Sequence, residues 1–139
     1  MASLVYNKLL ENWAKGLVDF DTDTFKVLLT TSAYSENKDT NAYRSDVTNE
    51  ITGTGYTTGG NSATVTVTLD TVNDRVDISL GGTTWTSSTL TARKAVYYKS
   101  RGGAASADEL VAVNDFGSDV TTVSGTLTLN ASTLRVSNP

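Results

Sequence analysis

Between Ala63 and Leu69 the chain alternates without exception: Ala63, Val65, Val67 and Leu69 are separated by Thr64, Thr66 and Thr68. A period of two places the two residue types on opposite faces of a pleated strand, so the segment reads as a half-buried β-strand. Thr71-Val72-Asn73-Asp74 supplies turn chemistry, and Val76, Ile78 and Leu80 then resume the alternation. The two segments read as an antiparallel hairpin. The bias extends to the whole chain, whose 139 residues include 24 Thr and 14 Ser and are only 19% charged. Threonine is β-branched and suits a pleated surface better than a helix. Leu, Ile, Val and Phe remain numerous enough for one core, and the length fits a single domain over 1–139.

The first seventeen residues follow a different period. Val5, Leu9 and Trp13 recur every four residues, with Tyr6, Leu10, Ala14 and Leu17 as a second apolar row. The spacing predicts an amphipathic helix over about 3–16, with Asn7, Lys8, Glu11, Asn12 and Lys15 outward. Ser3 would cap it, Glu11 and Lys15 would pair, and Gly16 would end it in a left-handed residue. Such a stripe either covers one end of the core or docks on a neighbouring subunit. From about residue 24 onward the chain reads as strands. Thr24–Thr31 is a mostly buried one, Trp85 sits on a short one, and Thr91–Lys99, Glu109–Phe116, Val123–Asn130 and Thr133–Val136 follow. Tyr34–Glu50 reads as irregular, with one helical turn capped by Asp39 or Thr40. Gly53–Gly60 and Ser100–Asp108 read as flexible loops. Mainly β, as an antiparallel β-sandwich or jelly roll with one N-terminal helix, is the fold this implies.

Composition restricts the chemistry. With no Cys there is no thiolate nucleophile or Cys-ligated metal, and with no His there is no Ser-His-Asp triad or imidazole ligand. A net charge of −4 argues against nonspecific binding to nucleic acid or anionic membranes. Met1-Ala2-Ser3 opens no apolar signal segment and offers no glycine for myristoylation, so assembly in the cytoplasm is expected. Asp19, Asp21 and Asp23 copy the first ligand positions of an EF-hand, but Thr24 and Thr30 stand where Gly and the closing Glu belong. A solvated turn is the expectation there, with no metal and no cofactor. Gly53–Gly60 lacks the Lys of a P-loop. Arg93, Lys94, Lys99 and Arg101 beside Tyr97 and Tyr98 resemble a single-strand nucleic-acid surface, but two half-solvated faces of an edge strand explain them without nucleic acid, and that is the expectation. Asp115-Phe116-Gly117 reads as a turn after a strand.

The order of several short motifs goes further. Ser32-x-Tyr34-x-x-Asn37-x-Asp39-Thr40 leads into Ser45-Asp46-Val47-Thr48-Asn49-Glu50-Ile51-x-Gly53-Thr54-Gly55-Tyr56-Thr57-x-Gly59-Gly60. Trp85, Thr89-x-Thr91-Ala92-Arg93-x-Ala95-Val96-x-Tyr98-Lys99 and Asp115-Phe116-Gly117 follow. From the helix to about Gly117, this succession resembles a family of small tailed-bacteriophage virion proteins associated with head decoration. The resemblance implies a non-enzymatic cement protein outside the shell, bridging major capsid protein subunits. It also implies a homo-oligomer on the particle, a trimer being one such arrangement. The family's acidic loop after the tyrosine strand is replaced here by Arg101-Gly102-Gly103. Tyr56, Gly59 and Gly60 in one loop, and Arg101, Gly102 and Gly103 in the other, are the expected partner contacts. Two further readings stand beside this one. The chain could be a tail or fibre component, or a carbohydrate-binding β-sandwich using Trp85, Tyr56 or Tyr97.

Overall fold

A computed structural model describes residues 3–138. Eight strands and one helix run in the order β1 (Leu4–Val5), α1 (Asn7–Ala14), β2 (Phe25–Thr30), β3 (Asn61–Ala63), β4 (Val65–Asp70), β5 (Arg75–Leu80), β6 (Thr83–Lys99), β7 (Leu110–Leu129) and β8 (Ser132–Ser137). They form two antiparallel sheets, one ordered β1-β7-β6-β2-β3 and the other β4-β5-β8. The fold is mainly β and sandwich-like. One core cluster lies between the sheets, where Val27, Leu29, Ala95, Tyr97 and Val111 meet Ile78 and Leu80 of the small sheet and Leu9 of the helix.

The large sheet is covered on its other face as well. Leu28, Val96, Tyr98, Leu110 and Val113 form a second cluster with Tyr6 and Tyr34, and Val47 packs against it. The irregular segment 31–60 is therefore a lid over the outer face. This explains why β2 is apolar almost throughout: it is buried from both sides. It also overturns the edge-strand reading of Thr91–Lys99. β6 lies between β7 and β2, and Lys94 is only 8% exposed beneath the lid.

The hairpin forms in the expected register, Val65 opposite Leu80 through Asp70 opposite Arg75. The helix differs from expectation. Leu4 and Val5 pair with Val113 and Ala112, so helical structure starts only at Asn7. Ser3 is not its cap, since its hydroxyl donates to Asn114 Oδ1 at 3.1 Å. The first apolar row, Val5, Leu9 and Trp13, packs against the core as expected, whereas most of the second row does not. Leu9 and Asn12 are buried, whereas Leu10 and Leu17 are 56% and 46% exposed. The Glu11–Lys15 pair is present at 2.5 Å, and Gly16 closes the helix at φ +73°. Strands expected to be separate are continuous. Trp85 lies within β6, and Asp115-Phe116-Gly117 lies within β7 rather than in a turn. Register shifts after Trp85 and near Ser88, with Ser87 and Ser124 at positive φ, carry the β6–β7 pairing through these polar stretches. The helical turn expected near Asp39 falls instead at Arg44–Asp46, where Asp46 Oδ2 accepts the Ala42 and Tyr43 amides.

Candidate functional site

The two loops expected to contact a partner are bound into the fold by one polar network. In the first loop, the Tyr56 hydroxyl donates to Glu50 Oε2 at 2.6 Å and accepts the Leu29 amide at 3.1 Å. The same Glu50 oxygen accepts the Gly59 amide at 2.7 Å. The Tyr56 ring is turned inward, stacked 6.3 Å from Trp85. Gly59 is buried, and its carbonyl accepts the Tyr98 hydroxyl at 2.5 Å. Gly60 lies against β2 at φ +76°, where an added Cβ would stand 1.8 Å from the Val27 carbonyl oxygen. Gly53–Gly60 is thus tied down rather than free, because Glu50, Tyr98 and the β2 backbone satisfy its polar groups.

Tyr98 continues the network toward the second loop. The Arg44 guanidinium sits 5.2 Å above its ring, and Arg44 Nε donates to Asp108 Oδ2 at 2.8 Å. The other Asp108 oxygen accepts the Arg101 amide, also at 2.8 Å. Arg101 itself pairs with the buried Glu109 at 2.7 Å. Gly102 and Gly103 are exposed, and an added Cβ at either would meet nothing within 4 Å. The structure therefore separates the six expected contacts. Gly59 is buried and Tyr56 and Gly60 are half-buried, whereas Arg101, Gly102 and Gly103 are exposed.

A second buried group lies under the lid. Lys94 Nζ donates to the Tyr34 carbonyl at 2.7 Å and pairs with Glu36. The Tyr34 and Tyr6 hydroxyls are 2.7 Å apart, and Tyr34 also donates to Asn41 Oδ1 at 2.9 Å. Burial raises both of these phenols, Tyr6 further through its bond to Tyr34. Burial also raises Tyr56, with Glu50 adding to the effect, and pushes Tyr97 and Tyr98 up to about 12. Such phenols remain neutral donors and do not act as bases near neutral pH.

Two open grooves of similar size bring no set of reactive groups together. One of about 410 Å³ runs between β1, β7 and β8, where Tyr97 is the sole titratable side chain and donates its hydroxyl to Gly81. A second of similar size beside Glu50 is lined chiefly by threonines. In the Asp19–Asp23 turn, Asp23 Oδ2 accepts the Asp19 amide and pairs with Lys99 at 2.8 Å. Among the described residues no cluster of acidic side chains could hold a metal ion, and no helix is long and apolar enough to cross a membrane. No family model, curated protein or solved structure matches the chain. The aromatic residues named for carbohydrate binding form no platform, since Trp85 and Tyr97 are 2% and 1% exposed and Tyr56 faces inward.

Sequence reasoning missed the surface that is open. Val67, Leu69 and Val136 in the small sheet are 43%, 70% and 43% exposed, and Val72 at the hairpin turn is 89% exposed. Leu69 opposes Val76, which opposes Val136, and Leu10 of α1 lines a groove with Val136. The alternation that marks a strand face does not say whether the core extends far enough to cover it. Here it covers Ile78 and Leu80 and stops.

Proposed function

We propose that the protein is a non-enzymatic structural component of a tailed-bacteriophage virion, a decoration or cement protein bound outside the major capsid protein shell. The observation that carries this reading is the apolar strip formed by Leu69, Val76 and Val136 of the small sheet with Leu10 of α1. A contiguous aliphatic surface of this kind fits a protein partner better than a small molecule. The charged side chains at the other end hold the lid to the sheet and to one another, so they serve as framework. The motif resemblance supplies the identity of the partner, and its segment Ser32–Gly60 is the lid itself. Many copies on a symmetric lattice turn modest contacts into strong attachment without any single tight interface. The place of action is the virion, assembled in the host cytoplasm.

Mass spectrometry of heads and tails separated from purified particles tests this. The expected result is recovery with heads, and particles carrying Leu69→Asp should lose the protein and rupture at lower temperature. Recovery with tails would reassign it as a tail or fibre component. Recovery with neither would overturn the reading.

A further inference from the structure

We infer that β4 is a self-pairing edge, at which two copies of this chain join through a twofold axis at Val67. Four strands end the sheet orders, β1 and β3 in the large sheet and β4 and β8 in the small one, and the flanks of β6 and β7 that reach past β2 and β1 are interrupted by register shifts, which disfavour edge pairing. β1 has two residues and β3 three, too few to template a partner. β8 carries the exposed charge of Arg135 at its centre. β4 has six residues and no lysine, proline or bulge, the devices that normally prevent edge pairing.

Its backbone phase and its sequence both suit a second copy. The Gly81 amide donates to the Thr64 carbonyl at 2.7 Å, so Thr64 directs its carbonyl toward β5. In an antiparallel ladder this direction alternates, so Val65, Val67 and Leu69 direct their amides and carbonyls to the open edge. The segment Val65-Thr66-Val67-Thr68-Leu69 reads alike in both directions. Rotated about Val67, an antiparallel copy sets Val67 against Val67, Val65 against Leu69 and Thr66 against Thr68. Apolar residues meet apolar ones and threonine meets threonine, which are favourable cross-strand pairs. Asp70, the charge at the strand end, is held by Arg75 at 3.4 Å and falls outside the seam. The product is a six-stranded sheet in which two apolar strips lie side by side. The pairing needs no assumption about the virion.

Sedimentation of the free chain tests the pairing. The expected mass is twice 14.7 kDa at micromolar concentration. Val67→Lys, which places two charges on the axis, should return the mass to that of one chain with unchanged circular dichroism. The chain has no cysteine, so an introduced one reports alone. Cα atoms of a hydrogen-bonded pair lie about 5.5 Å apart, within disulfide reach. Val67→Cys should therefore oxidise to a covalent dimer, and Val72→Cys at the hairpin tip should not. A monomer or trimer at all concentrations, a dimer that survives Val67→Lys, or equal cross-linking of both cysteine variants would overturn the inference. So would a monomeric chain that loses particle binding on Val67→Lys, which would give the edge to another partner.

Discussion

The Tyr98 hydroxyl donates to the Gly59 carbonyl oxygen at 2.5 Å, joining the centre of the large sheet to a loop thirty-nine residues earlier in the chain. Arg44 lies over the same ring and reaches Asp108. One tyrosine therefore fixes both loops, and removing its hydroxyl should loosen the first without unseating Arg44. Tyr98→Phe leaves a buried carbonyl without its donor, at a cost of about 1–3 kcal/mol. Urea unfolding should show that loss, and hydrogen exchange should show faster exchange at Gly59 and Gly60 with Asp108 and Glu109 unchanged.

Two glycines at similar φ should respond very differently to alanine. Gly60→Ala drives a Cβ into the Val27 carbonyl and should prevent folding, read as aggregation on expression. Gly102→Ala meets nothing and should incur only the left-handed backbone penalty, about 1–2 kcal/mol in a denaturant melt.

The Lys94–Glu36 pair should behave as a unit. Lys94→Met alone leaves a carboxylate with 8% side-chain exposure unpaired, and breaking such a buried pair destabilises by about 3–5 kcal/mol. Adding Glu36→Gln should restore much of that loss. A double-mutant cycle measured by urea unfolding gives the coupling directly.

Stability should fall on the alkaline side. Burial raises Tyr97 and Tyr98 from 10.0 to about 12, and Tyr6, Tyr34 and Tyr56 also move upward. The fold favours the neutral phenols, so their contribution is whole below pH 10.0 and is lost as pH rises toward about 12. A pH titration should show these tyrosines ionising together with loss of the far-ultraviolet strand signal, not before it.

Local periodicity revealed what local periodicity governs. The Val65–Asp70 and Arg75–Leu80 strands, the β2 segment and the Glu11–Lys15 pair were all legible because each depends on neighbours in sequence. The helix start was not, since Val5 is claimed by a strand pairing with Ala112. The burial of Asn12 and the exposure of Leu10 were hidden too, because they depend on what the rest of the fold places beside the helix. The network around Tyr98 was also hidden. Arg44 and Asp108 stand sixty-four residues apart, and no spacing rule links them. Tyr56 is the one large side chain of its loop, but which way it turns depends on Glu50 and Leu29.

The pairing of Leu4 with Val113 has a consequence for how the chain is made. On the ribosome, Leu4 and Val5 emerge before the strand they pair with, and wait until Ala112 and Val113 are out before their place exists. The β6–β7 pairing, on which that place depends, is likewise completed only when the later part of the chain is out. Folding dominated by such distant pairings is slow, typically milliseconds to seconds. During that interval the open β4–β5 hairpin, complete by Leu80, is already able to meet the hairpin of a neighbouring nascent chain. If copies are synthesised side by side on one message, assembly can begin before either polypeptide is finished.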